Sequence, residues 1–241
     1  SQEIAHGETT TGVDGNFEVT FDAQPDRSVD RESQPIFTYT VHADVTDTTG
    51  ETRSSSTSVR LGYTSLQASL NVTDSNWLLA DTDLSIQTNV STLDGTPQAA
   101  QGKLTVYRLK QPETVPQAAL SGLRSLRDQV FSQWGMYGVT IDPSRLTPDL
   151  TDIRQWELGD EVNSQDLEID AQGKMDSTFQ LPVGAYRVKF VTADSSGNPV
   201  STESNFTVID PSQNQCELKL PNLVRYPTSS VEPGETFRAI W

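Results

Sequence analysis

The side chains in this sequence equipped for covalent chemistry are few and scattered. Nucleophilic catalysis needs a base beside a Ser, Thr or Cys. The chain has two imidazoles, His6 and His42, one thiol, Cys216, and no Gly-x-Ser-x-Gly elbow. His42 falls on the polar face of an alternating segment, which predicts a solvated ring. Two histidines without His-Glu-x-x-His spacing cannot furnish the usual zinc ligands. Cys216, in Gln215-Cys216-Glu217-Leu218, reads as a small buried apolar residue of a strand. Carboxylate-pair chemistry is the remaining option, because glycosidase acids come from separate strands. Asp160, Glu161, Asp166, Glu168 and Asp170 cluster, and Trp134, Tyr137 and Trp156 could line a sugar platform. The preferred expectation is that these aromatics pin their segment to a sandwich by burial while the acids face water. Asp and Gly recur in turns without an Asp-x-Asp-x-Asp-Gly calcium loop, and backbone geometry accounts for them. Asn71-Val72-Thr73, Asn89-Val90-Ser91 and Asn205-Phe206-Thr207 match the glycosylation acceptor pattern and read as chance matches on Thr-rich strands. The expectation is therefore no catalytic residue, no cofactor-binding residue and no metal ligand.

Composition narrows the partners. The formal charge of −16 argues against nucleic acid, whose phosphates need clustered Lys and Arg. A single cysteine allows no disulfide within the chain. No apolar run approaches the roughly 20 residues of a membrane helix, and Ser1-Gln2-Glu3 is not a signal peptide. The polar, Ser/Thr-rich, Lys-poor composition fits a piece of a longer exported chain.

The elements that would position any site follow one phrase, an alternating strand that runs into Asp-x-x-Gly and out into another strand. It is plainest where Phe37, Tyr39, Val41, Ala43 and Val45 share one face before Asp47-Thr48-Thr49-Gly50. Related phrasing occurs at Asp14-Gly15-Asn16, Asp94-Gly95-Thr96-Pro97, Asp170-Ala171-Gln172-Gly173 and Asp194-Ser195-Ser196-Gly197. Period-two alternation closed by such turns predicts an all-β chain of tandem antiparallel β-sandwich domains. Residues 1–63 carry predicted strands at Glu3 to Thr9, Phe17 to Phe21, Phe37 to Val45 and Thr52 to Leu61. Those are fewer than the about seven of a whole sandwich and predict the C-terminal part of a domain. Residues 64–210 predict a full sandwich with a helical insertion at about 111–165. Inside it Leu120, Leu123, Leu126, Val130 and Trp134 recur at helical spacing over 117–134, and a shorter helical turn is expected around Asp149 to Trp156. Residues 211–241, where Cys216, Leu218 and Leu220 alternate, predict the opening strands of a following sandwich. The predicted core is Phe17, Phe21, Tyr39, Val41, Val45, Leu70, Tyr186, Val188 and Phe190.

Three segments together resemble the macroglobulin-like domains of the bacterial alpha-2-macroglobulin family. They are Gly7-Glu8-Thr9-Thr10-Thr11 with Gly15-Asn16-Phe17, then Phe37 through Asp47 to Gly50-Glu51-Thr52-Arg53, and Val231-Glu232-Pro233-Gly234-Glu235-Thr236. The resemblance implies a macroglobulin-like, immunoglobulin-like sandwich within a tandem array. It also implies a periplasmic or cell-envelope location and a share in an endopeptidase inhibitor that traps proteases. The partners it implies are neighbouring domains of the parent chain and, through the full-length protein, proteases. The family's Cys-Gly-Glu-Gln thioester motif is absent, since Glu217-Leu218 follows Cys216, and no bait segment is identifiable. The resemblance thus implies a non-catalytic scaffold between domains. A surface adhesin or carbohydrate-binding sandwich using the aromatics of the insertion is the alternative.

Overall fold

The computed structural model describes residues 3–31, 34–75, 77–116, 149–213, 215–221, 223–228, 230–237 and 239–240. The strands within it are β1 (Ile36–Thr46), β2 (Thr52–Gly62), β3 (Leu66–Val72), β4 (Leu78–Leu79), β5 (Asp83–Thr92), β6 (Ala100–Leu109), β7 (Leu158–Ile169), β8 (Lys174–Gln180), β9 (Gly184–Ala193) and β10 (Pro199–Ile209). Strands β3 to β10 make a sandwich of two sheets, one ordered β4-β10-β9-β6-β7 and the other β3-β5-β8. All pairings are antiparallel except the two-residue contact of β4 with β10. Strands β1 and β2 form a separate two-stranded ribbon.

Alternation builds the core. From the larger sheet Leu104, Val106, Leu167, Ile169, Tyr186, Val188, Phe190, Phe206 and Val208 point inward, and from the smaller Val72, Leu84, Ile86, Val90 and Phe179 meet them. Tyr186, Val188 and Phe190 are fully buried, as their period-two spacing predicts. The Tyr186 ring stacks on Phe206 at 5.7 Å, and its hydroxyl donates to the Pro182 carbonyl at 2.8 Å. Leu70 packs on the same core, half-buried at an edge strand. Gly102 of β6 makes room for the Phe190 ring, because a Cβ there would come within 2.6 Å of both the ring and the Val191 carbonyl.

The repeated Asp-x-x-Gly phrase folds into one turn. In Asp47-Thr48-Thr49-Gly50 the Gly50 N–H donates to the Asp47 carbonyl at 3.1 Å, and Asp47 and Glu51 pair through Asp47 N–H to Glu51 C=O at 2.9 Å. The Asp47 carboxylate accepts from the Thr49 amide and hydroxyl and from the Glu51 amide. The same backbone bonds join Asp194, Gly197 and Asn198. Gly50 and Gly197 take φ of 88° and 82°, where a side chain would be strained. This is a hairpin turn whose last residue sits left-handed, and the Asx bond explains the Asp at its start.

Several sequence expectations are corrected. Glu3 to Thr9 and Phe17 to Phe21 form no strand. Phe17 and Val45 are each 41% exposed, while Phe21, Tyr39 and Val41 are only half-buried. Tyr39 does contact Phe21, ring to ring at 5.8 Å, and donates to the Gln24 carbonyl at 3.0 Å. These residues pack on one small ribbon, and among the described residues no second layer closes over them. The helix expected over 117–134 lies outside the described residues. The insertion is shorter at its far end than 165, because β7 begins at Leu158 and pairs with β6 through Leu109↔Leu158 and Lys103↔Asp166. Polar alternation on an edge strand hid β7, whose residues 160–166 are exposed on both faces. The short turn expected near Asp149 to Trp156 is present as a 3-10 turn at Ile153–Gln155, capped by the Asp152 carboxylate.

Two stability predictions follow from this packing. Thr88 and Ser177 face the core 0% and 2% exposed, and neither hydroxyl has a hydrogen-bond partner. Thr88→Val removes an unsatisfied group without changing shape, so urea unfolding should show a gain of about 1 kcal/mol. Gly102→Ala drives a methyl into Phe190 and should cost about 1–3 kcal/mol in the same measurement.

Candidate interdomain junction

Among the described residues, the side chains considered for chemistry are not brought together. His6 contacts Glu3 at 3.2 Å on the surface, and His42 is exposed on β1. Cys216 is exposed and outside any strand, contrary to the expected burial, because Leu218 rather than Cys216 turns inward. Asp160, Glu161, Asp166, Glu168 and Asp170 are all exposed, the first four on edge strand β7 and the last in the turn after it. Among the described residues no group of three or more His, Cys, Asp or Glu side chains is placed to hold a metal ion. No helix among them is long and apolar enough to cross a membrane. Trp134 and Tyr137 lie outside the described residues. Trp156 is 2% exposed and donates its indole N–H to the Leu150 carbonyl at 2.8 Å, so its ring offers no sugar platform. Of the three glycosylation matches, the Asn205 side chain is already engaged, accepting from Arg187 Nε at 2.8 Å.

Polar chemistry concentrates instead where the ribbon meets the sandwich. Three residues, Tyr63 to Ser65, carry the chain from β2 into β3, and they pass the turn between β9 and β10. Asp194 in that turn is 7% exposed. Its Oδ1 accepts from the amides of Ser196 at 3.0 Å and Asn198 at 2.9 Å, which close its own turn. Its Oδ2 accepts from Asn198 Nδ2 at 3.1 Å and, across the junction, from the Ser65 amide at 3.0 Å and hydroxyl at 3.3 Å. The Ser65 amide and the donors of the turn hold this carboxyl down to a pKa of about 2. Asp47, in the twin turn at the far end of the ribbon, is also lowered, chiefly by the Thr49 hydroxyl, with no bond across a junction.

Other contacts surround this bond. Arg60 of β2 donates to the Leu93 carbonyl at 3.0 Å, and Gly62 packs against the Leu93 side chain. The Gln34 amide donates to the Pro199 carbonyl and accepts from the Ser201 N–H at 3.5 Å. Tyr63 lies between Phe37, edge-on at 6.4 Å, and the Arg31 guanidinium, 4.6 Å from its ring centre. Sequence reasoning found the Asp194 turn but not its partner, because nothing local marks Ser65.

At the opposite end of the sandwich a second apolar cluster forms on the outer face of the larger sheet. Leu109, Ala185 and Ile209 of β6, β9 and β10 are covered by Trp156, Leu218 and Leu223, with Leu220 and Ile240 alongside. Arg187 ties this cover down, donating from Nη2 to the Arg154 carbonyl at 2.7 Å, and Arg225 donates to Thr207 Oγ1 at 3.3 Å. Lys219 donates its amide to Gln111 Oε1 at 2.9 Å and its ammonium to the Glu113 carbonyl. The strands expected after residue 211 are replaced among the described residues by one isolated bridge, Arg225↔Ile240.

The junction predicts a pH signature. A depressed carboxylate contributes stability that is present above its unfolded pKa of about 4 and is lost as pH falls through about 2. Thermal melts should therefore show Asp194→Asn less stable than wild type at pH 6, with the gap closing between about pH 4 and pH 2. A gap independent of pH would mean that the carboxylate charge is not what the junction uses.

No protein-family model matches this chain, and no curated protein matches it. Among solved structures it is similar to Escherichia coli alpha-2-macroglobulin activated by porcine elastase, at 15% identity and a TM-score of 0.34, over 71% of this chain and 15% of that one. It is similar to the native conformation of the same protein at 13% identity and a TM-score of 0.33, over 88% and 14% of the two chains. The soluble domain of PmoD from Methylocystis sp. ATCC 49242 (Rockwell) matches at 13% identity and a TM-score of 0.28, over 61% of this chain and 94% of that one. The chain spans no more than 15% of the length of the alpha-2-macroglobulin structures it matches. TM-scores of this size place it in no family.

Proposed function

We propose that this chain is a non-catalytic scaffold segment of a tandem β-sandwich protein, exported to the periplasm or cell envelope, of the alpha-2-macroglobulin kind that traps proteases. The observation that carries the scaffold reading is where the neighbouring segments attach. The ribbon docks on the turns holding Leu93 and Asp194, and the segment after β10 packs on Leu109, Ala185 and Ile209. These sites lie at the two ends of strands of ten or eleven residues, about 33 Å apart at roughly 3.3 Å per residue. A chain that enters at one end and leaves at the other makes an array in which force or displacement passes along the strands.

Two further features support the same reading. A ribbon of two 11-residue strands is not a stable unit alone, and Val45, Val59 and Leu61 on its apolar face are each about 40% exposed. It suits the end of a domain whose remaining strands come from elsewhere in a parent chain. The protease-trap element of the reading rests on the sequence resemblance through Phe37 to Arg53 and Val231 to Thr236. Burial of Trp156 takes one aromatic from the carbohydrate-binding alternative.

The test uses the full-length parent protein and trypsin. A trap leaves trypsin able to cleave a small chromogenic peptide while its digestion of a large protein substrate falls. The isolated chain should change neither rate. Equal inhibition on both substrates, or on neither, overturns the trapping element of the proposal.

A further inference from the structure

Interfaces between neighbouring domains are usually polar and permit relative motion unless they are large and apolar. The contact between the ribbon and the sandwich is of the polar sort, since apart from Leu93, Tyr63 and Phe37 its groups are carbonyls, amides, two guanidinium groups, a hydroxyl and one carboxylate. By that rule the linker Tyr63 to Ser65 would be a hinge. What departs from the rule is Asp194. It is a nearly buried carboxylate whose Oδ2 is divided between its own turn and the linker, so moving Ser65 away takes two donors from the anion and leaves water to replace them.

We propose that Ser65 and Asp194 form a latch that converts the linker between β2 and β3 from a hinge into a fixed elbow. With the bonds made, the ribbon has one orientation on the sandwich, and Arg60 and Gln34 reach the Leu93 and Pro199 carbonyls. With them broken, those contacts are too few to hold it, and the ribbon swings about Gly62 to Thr64. The two states are discrete because a charge-assisted hydrogen bond to a buried carboxylate is either made or replaced by water. The latch goes beyond the scaffold reading and does not depend on the protease-trapping element of it. The Asp47 turn supplies an internal comparison, having the same backbone and Asx bonds with no partner across a linker.

The experiment measures the angle directly in the whole chain. Spin labels are placed at Ser54→Cys on β2 and Lys189→Cys on β9, both exposed, in a Cys216→Ser background. Pulsed dipolar spectroscopy should give one narrow distance distribution for this protein. Asp194→Asn keeps the shape but offers an N–H where Ser65 needs an acceptor, and should broaden the distribution at least twofold. Asp47→Asn should leave it narrow. If Asp194→Asn disturbs its own turn, Ser65→Pro decides, because it removes the donor on the linker side and leaves that turn intact. A distribution already broad in the parent, or one unchanged in a folded Asp194→Asn or Ser65→Pro protein, overturns the latch.

Discussion

Every other feature of this protein is referred to one strand. β9 runs through the middle of the larger sheet, paired with β10 on one side and β6 on the other, so its backbone groups are satisfied along its length. Its even positions, Tyr186, Val188 and Phe190, fill the core, and its odd positions, Ala185 and Arg187, face the opposite layer. Because a strand alternates strictly, register errors are costly here, and a one-residue slip would put Arg187 where Val188 packs. The same strand delivers Asp194 to one end of the sandwich and Ala185 to the other. The two attachment regions are thereby fixed in distance and in the face they present.

The rim of the sandwich is specified by turn chemistry. Asp or Thr at the start of a turn and Gly at its left-handed position recur at Asp47, Thr92, Asp170 and Asp194. In the other three turns the bonds beyond the turn itself run to backbone carbonyls, as from Arg60 to Leu93 and from the Val90 amide to Gly173, and among the described residues the first residue's side chain takes no partner outside its own turn. Asp194 differs through its surroundings. The linker passes close enough for Ser65 to donate to it, and the carboxylate is then shared between a local motif and a segment more than a hundred residues away in sequence. A general-purpose turn thus becomes a structural joint without changing its own geometry.

Among the described residues the reactive side chains stay apart, and the polar groups that do converge lie at the joint. The acids of β7 are spread along an exposed edge, where charge and the register shifts near Tyr107 discourage pairing with another strand. Trp156, which could have offered an aromatic surface, is spent on covering Leu109, Ala185 and Ile209. Asp194, Arg187 and Arg225 each bind one segment to another.

The sequence by itself determined the all-β class, the alternation of β1, the Asp-x-x-Gly turns and the burial of Tyr186, Val188 and Phe190. These are local properties, because period-two patterning and turn residues act on neighbours along the chain. Tertiary structure alone decided the rest. It made β7 a strand despite its polar sequence, because β6 had an open edge to pair with it. It left Phe17 and Val45 exposed despite their apolar character, because among the described residues no second layer covers the ribbon. It turned Leu218 inward and Cys216 outward, since the outer face of the larger sheet was there to receive one of them. It also singled out one Asp from several alike by bringing Ser65 beside it. Burial and long-range hydrogen bonding depend on what the fold places nearby, and no local pattern in a single sequence encodes that.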